Sequence, residues 1–218
     1  LPELDYSSIC ENPKIFVGCS DITALLTTIY LRCGIPTFHG PLITSLADAD
    51  SDTLQGIQAA LQGAGQVLIK ADPGQVIRPG KVSAPVIGGN LATLCHMLGT
   101  PYAPDFRGCI LFIEDTKEKP YRIDRMLTQM AYAGCFDGIR ALAAGSFADC
   151  GPPEAVVRIL SELFADRDYP VVTGFPVGHC MPNMTLPIGI PATLDSGART
   201  LAFDGPAVCR NPAEADPG

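Results

Sequence analysis

Short apolar runs alternate with amphipathic stretches along most of this chain, and that alternation sets the class of fold it can adopt. Cys109-Ile110-Leu111-Phe112-Ile113 is the strongest apolar run. After it, Ile123, Met126, Leu127 and Met130 recur at helical spacing between Tyr121 and Tyr132. Ile139 to Ala144 then reads as a strand. Glu154 to Phe164 reads as a helix carrying Val156, Val157, Leu160, Leu163 and Phe164, and Pro170 to Thr173 as a further strand. A strand covered on both faces is apolar throughout, whereas a helix lying on a sheet needs only one apolar stripe. Their alternation predicts an α/β architecture.

The same reading extends in both directions. Lys14-Ile15-Phe16-Val17-Gly18 is a short strand, followed by a helix with Ile22, Leu25, Leu26, Ile29 and Tyr30 on one face and a stop at Gly34-Ile35-Pro36. Thr37 to Pro41 reads as a strand running into a loop, and Ser51 to Leu61 as a helix. Gly and Pro crowd residues 63–85, the expected linker, although Val67-Leu68-Ile69 inside it has strand character. Gly88-Gly89-Asn90 leads into a helix with Leu91, Leu94, Cys95 and Leu98 on its face. Residues 174–187 form a Gly- and Pro-rich loop, Leu186 to Leu194 and Arg199 to Phe203 are strand-like, and 211–218 is a polar tail. The expected division is therefore 1–62, a linker over 63–85, a second α/β domain over 86–210, and the tail.

Composition removes several classes of function. A formal net charge of -8, with no cluster of Lys or Arg, repels phosphate backbones and anionic membranes. No apolar run reaches the roughly 18 residues needed to cross a bilayer. The nine cysteines lack paired spacing and mostly sit in apolar surroundings, so they are expected to be reduced, small buried side chains rather than a disulfide framework. The Cys and His residues lack zinc-site spacing, and Gly88-Gly89-Asn90 lacks the Gly-Lys-Ser/Thr of a phosphate loop, so neither metal nor cofactor is expected.

Three places are suited to chemistry. In Gly18-Cys19-Ser20-Asp21-Ile22, a serine stands between a buried strand and a helix, where helix N–H groups face a developing oxyanion. The pattern is half of a nucleophile elbow; the alternative is that Ser20 or Asp21 caps the helix. Cys19 is a rival nucleophile. Among the three histidines, His96 falls in a helix, His39 follows a short strand beside Gly40-Pro41, and His179 lies in the loop Gly174-Phe175-Pro176-Val177-Gly178-His179, the best setting for a base. Glu114 and Asp115 close the strongest strand, where a carboxylate could orient that base. Asp124 and Arg125 follow close by, as substrate contacts or as a solvated helix face.

Taken together, these segments resemble the LD-carboxypeptidases, serine peptidases that trim murein tetrapeptides. Lys14 to Leu25 resembles their nucleophile segment, and Pro85 to Leu91 the opening of their C-terminal domain. Leu111 to Asp115 with Tyr121 to Arg125 is similar to their acid motif, and Gly174 to His179 with Pro182 and Leu186 to Gly189 to their histidine motif. The resemblance implies Ser20 as nucleophile, His179 as general base and acid, Glu114 as the orienting carboxylate, and the Asp21 backbone N–H in the oxyanion hole. It implies a partial Rossmann-like N-terminal domain and a β-rich, swivelling-barrel-like C-terminal domain with the site between them. It also implies that the chain starts inside the N-terminal domain, with a second oxyanion donor upstream of residue 1.

The expected reaction is hydrolysis of the L,D-amide that releases terminal D-alanine from murein tetrapeptide, in peptidoglycan recycling. Arg122, Arg125 and Asn90 are candidate substrate contacts. No cofactor, nucleic acid or membrane partner is expected; a cytoplasmic homodimer is. The rival readings are a microcin-C-type immunity peptidase acting on a peptidyl-nucleotide, which the lack of Trp argues against, and an impaired fragment that binds muropeptide without turning it over.

Overall fold

The computed structural model describes residues 1–63, 67–71 and 75–208. The tail expected over 211–218 lies outside these residues. The fold is mixed α/β with two sheets, of three and eight strands.

The larger sheet is organised by β5 (Lys81–Asn90), which changes partners along its length. Its first half pairs antiparallel with β10 (Pro191–Asp195) and its second half pairs parallel with β6 (Ile110–Thr116). Beyond β6 come β7 (Ala141–Ala148) and β8 (Val171–Thr173), also parallel. Parallel neighbours need crossovers, here α4 (Leu91–Met97), α5 (Pro120–Tyr132) and α6 (Pro153–Phe164). Beyond β10 lie β11 (Thr200–Phe203) and β3 (Leu68–Lys70), both antiparallel, while β4 (Val76–Arg78) edges β8. The expected linker over 63–85 is therefore built largely into the sheet: β3, β4 and the start of β5 all fall within it.

Strand alternation divides the core in two. Ile87, Leu111, Ile113, Leu142 and Ala144 face α4 to α6 and pack with Leu94, Ile123, Leu127, Leu160 and Phe164. Val86, Ile110, Phe112, Ala141, Ala143 and Val172 face the other way and meet Phe38, Leu186, Ile188, Leu194 and Leu201. Burial on both faces explains the uninterrupted apolar runs.

The smaller sheet covers that second face. It joins β1 (Val17–Gly18), β2 (Thr37–His39) and β9 (Leu186–Ile188). Although β9 follows the histidine loop in sequence, it pairs antiparallel with β2 and so ties the two halves of the chain together. The expected helices are present as α2 (Thr23–Cys33), closed by Gly34 at φ +67°, and α3 (Ser51–Gln62), capped by Asp50 accepting from Thr53 N at 2.8 Å.

Two features depart from expectation. A short helix, α1 (Tyr6–Glu11), precedes β1; none of its residues is buried, so it shows no apolar stripe. It is held by a disulfide between Cys10 and Cys33 and by Arg32, whose guanidinium lies over the rings of Tyr6 (5.2 Å) and Tyr102 (5.3 Å). Buried reduced side chains describe Cys19, Cys95, Cys109 and Cys150, but not this pair.

Candidate active site

The chain leaves β1 at Gly18 and enters a 3-10 turn, Ser20–Ile22, that runs directly into α2. Ser20 occupies the left-handed region at φ +56°. For a residue with a side chain this conformation costs about 1–3 kcal/mol, and such strain concentrates at functional sites. Space for the turn comes from Gly18, where a Cβ would stand 2.5 Å from Ile22 Cγ2. Thr93 Oγ1 lies 3.5 Å from the Ser20 carbonyl, and the Asn90 N–H donates to Thr23 Oγ1 at 3.0 Å, so α4 and β5 lie against the turn. No side chain caps either the 3-10 turn or α2. The capping alternative for Ser20 and Asp21 therefore fails, and the strained elbow is what the turn accomplishes. The Asp21 N–H opens this helical segment, where early N–H groups lack intrahelical acceptors.

Glu114 and Asp115 do not begin a solvated loop. They lie inside β6, at 0% and 2% exposure, and consecutive strand positions send their side chains to opposite faces. Asp115 turns toward α4, accepting from Ala92 N and Asn90 Nδ2, both at 3.0 Å, and from Thr116 N at 2.8 Å. Burial raises its pKa, opposed by these hydrogen bonds. Glu114 turns the other way, toward the face that carries Phe112. Its Oε2 lies 2.9 Å from His179 Nδ1, and its Oε1 lies 3.6 Å from His39 Nε2. The β6–β7 register slips between Ile113 and Asp115, a bulge of the kind that re-aims side chains beside a site.

His179 stands on a loop with several anchors. Phe175 N donates to Ala144 O, Ser146 N to Val177 O and Asn183 N to Thr53 Oγ1 on α3. Gly178 N donates to Asn183 Oδ1 at 2.9 Å. Gly178 itself has φ +110°, and a Cβ there would collide with Glu114 Oε2, so glycine is what lets the carboxylate reach His179. The hydrogen bond to Glu114 raises the His179 pKa above its ordinary value, with burial opposing.

Beside this pair opens a cleft of about 350 Å³, lined by Cys19, Leu42, Thr53, His179 and Cys180 among others. Cys19 rather than Ser20 contributes to that wall. Burial, helped by the nearby Glu114 charge, pushes the Cys19 thiol up to about 11, which disfavours the thiolate that a cysteine nucleophile needs. A larger cleft of about 440 Å³ between β7 and α6 contains none of these groups.

The remaining candidates are not gathered here. The Asn90 side chain is spent capping α4, its Oδ1 accepting from Thr93 N and Thr93 Oγ1 while its Nδ2 holds Asp115. Arg122 is exposed on α5 and paired with Glu118 at 2.8 Å; Arg125, also exposed, lies over Tyr121. His96 is exposed on α4. Among the described residues, no group of three or more His, Cys, Asp or Glu is placed to hold a metal ion. One residue of the site was undervalued in the sequence: His39, fully buried at the end of β2. Its only signal was a histidine directly after an apolar strand.

A strained serine on a strand-to-helix turn and a histidine oriented by a buried carboxylate are the parts of a hydrolase of the serine type. The family profile described as the LD-carboxypeptidase C-terminal domain matches residues 83–194, and that of the LD-carboxypeptidase N-terminal domain matches residues 1–40. The chain belongs to the LD-carboxypeptidase family. A protein of Streptomyces coelicolor is 39% identical over 94% of this chain and 67% of its own length. The murein tetrapeptide carboxypeptidase of Pseudomonas aeruginosa is 33% identical, with 89% of this chain and 67% of that protein covered. Among solved structures, the muramoyltetrapeptide carboxypeptidase from Oxalobacter formigenes superposes with a TM-score of 0.82 at 35% identity, covering 94% of this chain and 74% of that one. The microcin C7 self-immunity protein MccF superposes at 0.84 with 28% identity, covering 95% and 72%. The chain spans about two-thirds of the length of the curated relatives it matches.

Proposed function

We propose that this chain carries the nucleophile, base and acid of a serine LD-carboxypeptidase that releases D-alanine from murein tetrapeptide. The observation that carries the reading is the Glu114–His179 contact of 2.9 Å, together with a strained strand-to-helix serine, Ser20. His179 donates its Nδ1 proton to Glu114, which leaves Nε2 as the base. Nε2 takes the Ser20 hydroxyl proton as Oγ attacks the carbonyl on the L side of the scissile bond. The Asp21 N–H stabilises the resulting oxyanion. The protonated His179 then delivers its proton to the departing D-alanine amine, leaving an acyl-enzyme. Water, deprotonated by the same nitrogen, hydrolyses the ester and frees the tripeptide and Ser20. The Pseudomonas and Oxalobacter relatives support the murein substrate.

Likeness to MccF favours a second reading, a peptidyl-nucleotide substrate, since that protein has been solved with adenosine monophosphate and with glutamyl sulfamoyl guanosine. Both substrates are offered to the purified chain, with D-alanine and nucleotide release scored by mass spectrometry. D-alanine release that disappears in Ser20→Ala supports the first reading. Release of the nucleotide product alone selects the second, and activity surviving Ser20→Ala overturns the nucleophile assignment.

A further inference from the structure

We infer that His39 is a positioning residue for Glu114: it holds Oε1 from the side opposite His179, so that Oε2 is presented to the His179 ring. This rests on the site reading above and adds a fourth side chain to it.

His39 closes β2 and is completely buried. β2 lies between β1 and β9, with His39 in register with Gly18 and Leu186, so its backbone is fixed on both sides. Its ring meets the edge of Phe112 at 5.4 Å between centroids, and its Nε2 lies 3.6 Å from Glu114 Oε1. That distance is longer than a formed hydrogen bond and short enough for a strong charge–dipole contact. Among the described residues, neither ring nitrogen of His39, nor Glu114 Oε1, has a hydrogen-bond partner, although all three atoms are buried. Buried polar groups are almost always satisfied, so His39 Nε2 and Glu114 Oε1, two orphans that face each other, need a reason.

Electrostatics supplies one. Burial lowers the His39 pKa; Glu114 pulls it back up, and His179 pushes it down again. The ring is therefore neutral and carries one N–H. With that hydrogen on Nε2 it points at Glu114; with it on Nδ1, a lone pair would face the carboxylate. The favoured tautomer gives Oε1 a donor and leaves Oε2 to His179. Without it, the carboxylate can turn about its terminal torsion and loosen the base. A phenylalanine of similar shape would fill similar space but leave the buried Oε1 with no donor facing it, so the loss that separates the two residues is the hold on the carboxylate.

The test compares wild type, His39→Phe, His39→Gln and Glu114→Gln by thermal melting, by kcat and KM for D-alanine release, and by the downfield proton resonance of the His179 Nδ1–H. His39→Phe should still melt cooperatively, lose kcat by roughly 10- to 100-fold as a misplaced group does, keep its KM, and lose the downfield signal. His39→Gln, whose amide N–H can reach Oε1, should recover most of kcat and keep the signal. Wild-type kcat with an intact signal in His39→Phe overturns the inference. So does a loss that His39→Gln fails to restore while the signal persists, since that pattern marks packing alone. Unchanged turnover and signal in Glu114→Gln would instead overturn the site reading beneath it.

Discussion

His179 Nδ1 and Glu114 Oε2 stand 2.9 Å apart, although 65 residues separate them in sequence. The contact commits one ring nitrogen to a buried carboxylate, the arrangement that the proposed base requires. It also ties a loop that follows β8 to β6, so the proposed base is held by the sheet as well as by its loop. A group held this way moves little when substrate arrives, which is what general base catalysis requires.

The pH dependence of turnover follows from that contact. The hydrogen bond to Glu114 raises the His179 pKa, and a base must be neutral to act, so kcat/KM should fall as pH drops through this raised value. Glu114→Gln removes the leading cause, and the acid limb should move to lower pH while the plateau falls by about 10²–10⁴. The stability effect has the opposite sense. A folded pKa above the unfolded one contributes stability that is fully present below the unfolded value and is lost as pH rises through the folded value. Urea unfolding across that window should therefore show Glu114→Gln most destabilised, relative to wild type, on its acid side.

Asp115 should behave unlike its neighbour. It accepts from two backbone N–H groups and from Asn90 on the helix face, away from Glu114 and His179. Asp115→Ala leaves the Ala92 N–H and the Asn90 amide without that acceptor, at a cost of about 1–3 kcal/mol. Denaturant titration should show this loss, while the acid limb of the activity profile moves to lower pH by less than in Glu114→Gln, because the Asp115 charge is a lesser cause of the raised His179 pKa.

Ser20→Gly separates strain from chemistry. Glycine adopts φ +56° freely, relieving a penalty of about 1–3 kcal/mol. It also frees the unfolded chain, which returns about 0.4–1 kcal/mol of that gain. The variant should be inactive and more stable by about 1 kcal/mol, whereas Ser20→Ala should be equally inactive with wild-type stability. Chemical unfolding of the two variants side by side checks this.

The Cys10–Cys33 disulfide spans 23 residues and ties exposed α1 to the end of α2. Closing a loop of that size stabilises by about 3 kcal/mol. Reductant, or Cys10→Ser, should lower the melting temperature, and reductant should have no further effect on the Cys10→Ser variant. If reductant leaves the wild-type melting curve unchanged, the bond contributes nothing to stability.

Much of this was readable in advance, for local reasons. The strands and helices from β5 to β8 announce themselves because burial on two faces, or on one stripe, writes a period into the chain. The elbow was half-readable from Gly18, Ser20 and an amphipathic helix start, though only φ at Ser20 shows that the turn is strained rather than capped. Glu114 and Asp115 looked like the end of a strand because they are charged. β6 continues through both because each finds partners, one on either face. The segment over 63–85 looked like a linker because it is rich in Gly and Pro, yet its short apolar runs find places at the sheet edges. α1 left no pattern, since it buries nothing.

What the sequence determined by itself is the α/β class and, in large part, the order of elements. Each of these depends on the spacing of residues close together in the chain. Only the tertiary structure decided which carboxylate meets His179, that β9 crosses back to β2, that Asn90 and Asp115 serve the start of α4, and that His39 stands against Glu114. These depend on strand register and on which face each side chain takes. A shift of one residue reverses that choice, and no local pattern records it.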